Sequence, residues 1–141
     1  MTTTVHPTNG FTETLSAVTG VRRIVQADAV LCLVSGGLLF AGASPLADVA
    51  GLEPTWPVAA VGAFLLLLGV NLLFLARAAA RHLLAITPWS AESDFAWAIA
   101  SVVVALAVSM TGPGRALVLG QAVVVAMVGV AKLRAVRAAR A

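Results

Sequence analysis

The side chains in this sequence that could do chemistry are a few polar residues set within long apolar segments. A charge or an amide deep in a bilayer is costly, and it usually has a partner or marks an ion or solute pathway. If the segments form one helical bundle, we expect four of these side chains to line a polar cavity and Gln121 to close it. The four are Asp28, Asn71, Asp94 and Trp97.

Each of these residues also has a purely structural interpretation. Asp94 fits a first-turn acid that the helix dipole favours. Asp28 fits an ion-pair partner of a basic residue near the interface. Asn71 and Gln121 fit hydrogen bonds between helices. For His82 we expect contact with lipid headgroups, because one histidine without a partner at helical spacing makes no metal or haem site. The candidate bases for Asp28 are Arg22, Arg23, Lys132 and Arg134.

Motifs of enzymes and cofactor sites are missing from the sequence. It contains no glycine-rich nucleotide loop, no CxxC pair, no Ser-His-Asp set and no cluster of Cys and His. The single Cys32 forms no disulfide within the chain, and we interpret it as a small buried hydrophobe. We therefore predict a non-enzymatic protein without a metal or a cofactor.

Four apolar stretches determine the class of the protein. Of the 141 residues, 60% are hydrophobic and 11% are charged, whereas soluble domains carry roughly 25% charged residues. Each stretch spans or nearly spans a bilayer core of about 30 Å at about 1.5 Å per residue. We predict an all-α integral membrane protein, a four-helix bundle over residues 21–141. The predicted spans are 24–43, 56–76, 95–111 and 116–131.

The N-terminal region allows more than one interpretation. We predict a mobile tail over residues 1–20, although the spacing of Phe11, Leu15 and Val18 also fits a short interfacial helix. The first span ends in a sequence that resembles a signal-peptide cleavage site. Because this span contains Asp28 and the chain begins at Met1, we expect a helix that is retained.

Basic residues are distributed unevenly about the spans. Eight lie on one side, while Arg115 lies on the other, and the loop over residues 44–55 has no basic residue. Cytoplasmic loops attract Lys and Arg, so we predict a bacterial inner membrane location with both termini cytoplasmic. The flanking charges form no nucleic-acid surface. The eight residues are Arg22, Arg23, Arg77, Arg81, Lys132, Arg134, Arg137 and Arg140.

Small residues and turn signals predict how the helices pack. Glycines let membrane helices approach closely, and the candidates are Gly36, Gly37, Gly62 and Gly69. We expect Pro45 to end the first span. Residues 81–93 should form a cytoplasmic link, with Thr87-Pro88 or Ser90 as the cap of the next helix. Residues 112–114 should form the turn between spans three and four.

The two halves of the chain resemble each other weakly. Asp28 is followed seven residues later by Ser35, and Asp94 is followed seven residues later by Ser101. Seven residues is two helical turns on one face. This pattern is compatible with two helical hairpins related as a parallel repeat, and it adds both serines to the candidate cavity residues.

Several short patterns carry a family resemblance. The chain resembles small, uncharacterised four-helix inner-membrane proteins of GC-rich bacteria such as actinobacteria over residues 24–136, and it is loosely similar to DoxX-like proteins, without their diagnostic motif. The resemblance implies a fold and a location but no activity. The patterns are Asp28 with Ser35-Gly36-Gly37, residues 44–48, residues 97–101 and Thr111-Gly112.

Two functions are consistent with the sequence. The first is a packing role in the bilayer, as a homo-oligomer or as an accessory subunit of another membrane protein. The second is a small transporter or channel for an ion or solute. Convergence of the polar side chains on one cavity favours transport, and scattered pairing favours the packing role.

Overall fold

The computed structural model describes residues 8–140 of the chain, and the side chains of residues 15–140. These residues form five helices and no strand. Four helices are long and apolar enough to cross a membrane. The chain is therefore a multi-pass, all-α four-helix membrane bundle, which confirms the predicted fold class. The helices are α1 (Thr8–Ala41), α2 (Ala43–Ala50), α3 (Trp56–Arg77), α4 (Ala80–Ala107) and α5 (Gly112–Arg140).

The four long helices pack as two hairpins. Helix α1 lies along α3, and α4 lies along α5. The two hairpins meet mainly where α1 contacts α5, whereas α3 and α4 touch each other little. This arrangement leaves a gap between α3 and α4, which becomes important for the site described below.

Glycines bring α1 and α3 into close contact. A Cβ atom at Gly36 would lie 2.8 Å from the carbonyl oxygen of Gly62, and one at Gly62 would lie 2.5 Å from the backbone nitrogen of Phe40. A Cβ at Gly69 would lie 2.7 Å from Cγ of Leu33. Only residues without a side chain permit this approach. Gly37 was expected at the same contact, but it has open space around its Cα atom because it faces another side of α1.

At one end of the bundle, which we call the basic end, arginine side chains donate hydrogen bonds to backbone carbonyl oxygens of neighbouring helices. Arg22 donates to the carbonyl oxygens of Ala76 (2.6 Å) and Ala78 (3.1 Å), where the last carbonyls of α3 lack partners within their own helix. Arg140 donates to the carbonyl oxygen of Leu84 at 2.7 Å. The first contact joins α1 to the end of α3, and the second joins the end of α5 to α4.

The contact of Arg140 explains why Pro88 does not end a helix. The expected link over residues 81–93 is wrong, since α4 begins at Ala80 and includes Pro88. Proline lacks the N–H that would bond the carbonyl four residues earlier, and that carbonyl belongs to Leu84. Arg140 supplies the missing donor. Thr87 is buried within α4 and donates to Leu83 at 2.6 Å, so it caps nothing.

The opposite end of the bundle, which we call the far end, is closed by α2. The segment expected to be a loop after Pro45 contains this short helix, which ends at Gly51 with a left-handed φ of 68°. The Thr111 hydroxyl donates to the carbonyl oxygen of Val49 at 2.5 Å, and the Thr111 amide donates to Ala50 at 2.9 Å. These bonds join the connection between α4 and α5 to α2.

Helix α1 begins earlier than expected. It includes residues from Thr8 onward, although a tail was predicted over residues 1–20. Tertiary packing provides the reason, because Val21 is fully buried and Val18 packs against the same apolar core at the basic end. Residues 1–7, including His6, lie outside the described residues, and so does the side chain of Phe11.

Candidate functional site

Lys132 is the centre of the most unusual arrangement in the bundle. Its side chain is 0% exposed, and its ammonium group lies 2.7 Å from Oδ2 of Asp94 and 2.8 Å from Oγ of Ser90. The same nitrogen forms an ion pair with Oδ2 of Asp28, by close approach and without the angles of a hydrogen bond. We call Asp28, Asp94 and Lys132 the ion triad.

Three helices place the ion triad. Ser90 and Asp94 lie one turn apart on α4 and face Lys132 of α5. Gly129, one turn before Lys132, allows this approach, because a Cβ there would lie 3.3 Å from the carbonyl oxygen of Ala91. Helix α1 supplies Asp28 from the other hairpin. The ion triad is therefore a polar link between the two hairpins.

The ion triad carries more negative than positive charge when all its members are ionised. It contains two carboxylates and one ammonium group, and Asp28 and Asp94 are only 6% and 7% exposed. A buried charge needs a partner of opposite sign or a proton. Oδ1 of Asp28 accepts a weak hydrogen bond from the Cys32 thiol at 3.8 Å, which supplies no positive charge.

A cavity of about 910 Å³ lies between α3 and α4, with the two acids of the ion triad in its wall. Most of the lining is apolar, from Phe64 near one end to Ala78 near the other. Its volume lies in the range of about 300–1,000 Å³ that small-molecule sites occupy. The other polar or titratable lining residues are Cys32, Asn71, His82, Ser90, Ser93 and Trp97.

An aromatic pair crosses the gap between α3 and α4. The rings of Phe64 and Trp97 are stacked, with centroids 5.5 Å apart and planes inclined by 17°. Nε1 of Trp97 is buried, and no acceptor among the described residues bonds it. An indole N–H usually finds an acceptor when it is buried, so a polar donor at this end of the cavity lacks its partner.

The structure brings together four of the predicted site residues and leaves out three. Asp28, Asn71, Asp94 and Trp97 all line the cavity, although the amide of Asn71 also donates to its own helix at Leu67, 3.0 Å away. Ser35, Ser101 and Gln121 are not among the lining residues. Helix α5 contributes Val125 to the cavity and not Gln121, because Val125 lies one turn closer to Lys132.

The interpretation of Asp94 as a first-turn acid is wrong. The residue lies in the middle of α4, because that helix starts at Ala80, and its partner is Lys132. Among the four bases considered for Asp28, the structure selects Lys132. Long basic side chains near the ends of membrane helices commonly extend towards the membrane surface, but the ammonium group of Lys132 is fully buried.

One signal in the sequence could have identified Lys132. It is the only lysine of the chain, among nine basic residues. An ammonium group differs from guanidinium in being compact and readily deprotonated when buried, so a single lysine among arginines suggests a distinct environment. Ser90, Cys32 and His82 carried no comparable signal, because their positions relative to the cavity depend on how the hairpins pack.

The described residues contain no group of three or more His, Cys, Asp or Glu side chains that could hold a metal ion. No protein-family model, curated protein or solved structure matches the chain. The interpretation of the site therefore rests on the geometry of its own residues.

Proposed function

We propose that this protein is a small membrane transporter that binds a solute in the cavity between α3 and α4, with the acids of the ion triad as the charged part of its wall. The observation that carries the proposal is the fully buried Lys132 between two acids that line this cavity. Ionisable groups inside a membrane bundle commonly mark the path of a substrate or an ion.

Packing alone gives little reason for such a group. Replacing a buried ion pair by apolar residues of similar volume is often neutral or stabilising, since removing charges from solvent is expensive. The α1–α3 contact, which Gly36 and Gly62 form, shows that this chain can join helices without any charge. If a solute enters the cavity from the side or from one end, the charged residues in its wall would serve to bind that solute.

We infer that the protein lies in a bacterial plasma membrane with its basic end in the cytoplasm, from the eight basic residues on that side. The end of the cavity near Ala78 and His82 would then face the cytoplasm. A cysteine introduced at Glu53, in a chain with Cys32→Ala, should react with an impermeant thiol reagent added outside intact cells. One at Arg137 should not react, and the reverse pattern would contradict this orientation.

Solute binding can be tested with Trp97 as the reporter. In a chain with Trp56→Phe and Trp89→Phe, Trp97 is the only tryptophan and lines the cavity. After reconstitution into lipid vesicles, the protein is titrated with bromoalkyl probes that carry a trimethylammonium, a glucoside or a sulfonate head. Bromine quenches indole fluorescence on contact. We expect saturable quenching by at least one probe, and transfer of that probe into vesicles faster than into protein-free vesicles.

Two controls separate the cavity from the surrounding lipid. A chain with Trp56→Phe and Trp97→Phe reports through Trp89, which is 70% exposed and outside the cavity, so its quenching should rise without saturation. Ala96→Phe, in the cavity lining, should abolish saturable quenching, while Ala85→Phe, on the exposed surface of the same helix, should not. Equal, unsaturable quenching of Trp97 and Trp89 by every probe would refute the proposal.

The packing role is the second candidate, and one observation favours it. Gly37 and Gly120 have no neighbouring atoms within 4 Å of a Cβ placed on them, so another membrane helix could approach α1 or α5 closely there. If the protein works as an oligomer or an accessory subunit, Gly120→Leu should change the mass of the complex measured by native mass spectrometry. An unchanged mass would remove the support that these glycines give.

A further inference from the structure

We propose that the solute is an organic cation with an apolar body, and that it displaces a proton from the ion triad when it binds. This inference rests on the proposed transport function and deepens it, because it assigns the chemical class of the solute. It follows from the balance of charge in the cavity and from the side chains that surround the two acids.

In the described part of the chain, charged or titratable side chains around the cavity come from three helices. Helix α1 contributes Asp28 and Cys32, α4 contributes Asp94 and His82, and α5 contributes Lys132. Helix α3 lines the cavity with Asn71 as its polar side chain, which is uncharged. At the basic end, Arg22 of α1 is bonded to the carbonyl oxygens of Ala76 and Ala78.

Lys132 is the one basic side chain among the described residues that forms an ion pair with either acid, so one carboxylate of the ion triad has no counter-charge of its own. Lys132 neutralises one negative charge, and the second must be balanced by a proton or by a cation from outside the chain. An anionic solute would add a further negative charge in a poorly solvated site. A cationic solute supplies the missing positive charge, so we expect the ion triad to favour cationic over anionic solutes.

The apolar part of the lining fits the rest of such a solute. Phe64, Phe74 and Trp97 present aromatic surface to the cavity, together with several leucines. Aromatic rings attract organic cations, more so where water is excluded. An inorganic cation would gain little from this surface, whereas a quaternary or protonated amine on an apolar body would contact both the carboxylates and the rings.

Binding and proton release are then balanced one for one. In the empty site, a proton balances the second negative charge of the ion triad. When the cation enters, the O–H bond breaks, the proton passes to water, and the cation takes its place. The charge of the site is the same before and after exchange, so no buried charge is left uncompensated.

The bromoalkyl probes test the sign of the charge directly in the otherwise unaltered single-Trp97 protein. We expect the trimethylammonium probe to bind at least about tenfold more tightly than the glucoside probe, and the sulfonate probe to show no saturation. Where the proton competes, the affinity for the trimethylammonium probe should fall by up to about tenfold per unit decrease in pH. The affinity for the glucoside probe should not depend on pH.

Variants then assign the effect to the ion triad. Asp94→Asn leaves one carboxylate for one ammonium group, so the preference for the cation and its pH dependence should disappear while the glucoside probe still binds. Asp28→Asn should behave in the same way and serves as the second variant if the first does not fold. Asp48→Asn, on the exposed surface of α2 and outside the cavity, is the control and should change nothing.

The outcomes distinguish this inference from the function on which it rests. Saturable binding of the glucoside probe as tight as that of the trimethylammonium probe would overturn the inference and leave the proposed function intact. Tightest binding of the sulfonate probe would also overturn it, because Lys132 would then be the recognition group. Failure of all three probes to saturate would overturn both.

Discussion

The two hairpins of the bundle are built on similar helix contacts, yet one buries a leucine where the other buries a lysine. In α3, Gly69 lies against the carbonyl oxygen of Ala29 of α1, and Leu72 follows three residues later. In α5, Gly129 lies against the carbonyl oxygen of Ala91 of α4, and Lys132 follows three residues later.

Both side chains are buried, Leu72 and Lys132 alike. The corresponding position of α3 therefore holds an apolar residue, and burial at such a position does not by itself require a charge. A charge at this depth is costly unless it is paired. The α1–α3 hairpin forms this contact with an apolar residue, so the contact itself does not require the ion triad, and this favours a functional role for the charges.

The greatest loss of stability should follow from replacing Lys132 by leucine, the residue that occupies the corresponding position, Leu72, in α3. Lys132→Leu leaves Asp28 and Asp94 buried without their shared partner, which should destabilise the bundle by about 3–5 kcal/mol. The triple variant Lys132→Leu, Asp28→Leu, Asp94→Leu should recover most of that loss. Unfolding in mixed micelles gives both values. A triple variant as unstable as the single one would mean that the fold itself requires the ion triad.

Two neighbouring glycines of α1 allow a matched test of the contact between α1 and α3. Gly36→Leu should destabilise the bundle by about 1–3 kcal/mol, because its first side-chain atom would lie 2.8 Å from backbone atoms of α3 that cannot move aside. Gly37→Leu, at the next residue, enters open space and should be nearly neutral. Equal stability of the two variants in the same unfolding assay would contradict the α1–α3 contact.

Alanine substitutions at the corresponding glycines of the two hairpins, Gly69 and Gly129, should differ by a smaller amount in stability. A Cβ at Gly69 would lie 2.7 Å from Cγ of Leu33, whereas the nearest packed atom to one at Gly129 would be Cζ of Phe95 at 3.2 Å. Alanine gains about 1 kcal/mol of helix propensity over glycine. We expect Gly129→Ala to be close to neutral and Gly69→Ala to lose about 1 kcal/mol, as measured by unfolding. The opposite ranking would show that the α4–α5 contact is the tighter one.

Hydropathy predicts the class of this fold well because apolar length and charge asymmetry are local properties of the sequence. The second span was expected over residues 56–76, and α3 runs from Trp56 to Arg77. The boundaries of α1 and α4 were missed because distant residues decide them. Val21 packs into a core formed by several helices, and Arg140 repairs the hydrogen bonding that Pro88 disrupts.

The candidate site was predictable in part for the same reason. Asp28, Asn71, Asp94 and Trp97 could be chosen as polar residues at membrane depth, and they line one cavity. The partner of the acids could not be chosen, because four basic residues were expected near the same membrane interface. Packing of α5 against α1 decides in favour of Lys132, and no local pattern encodes that packing.

The smallest expected effect concerns the contact that lets α4 continue through Pro88, a feature that α3 lacks. Arg140→Ala removes the donor to the Leu84 carbonyl, which should cost about 0.5–1 kcal/mol, since a hydrogen bond near the surface has a modest net value.

In a chain with Pro88→Ala, residue 88 regains an N–H that can bond Leu84 within the helix. Arg140→Ala should then cost close to nothing, so the two substitutions should be coupled in a double-mutant cycle measured by unfolding. Full additivity would show that Arg140 stabilises α5 in some other way. Coupling would show that Arg140, in the last turn of α5, compensates for the hydrogen bond that Pro88 removes from α4.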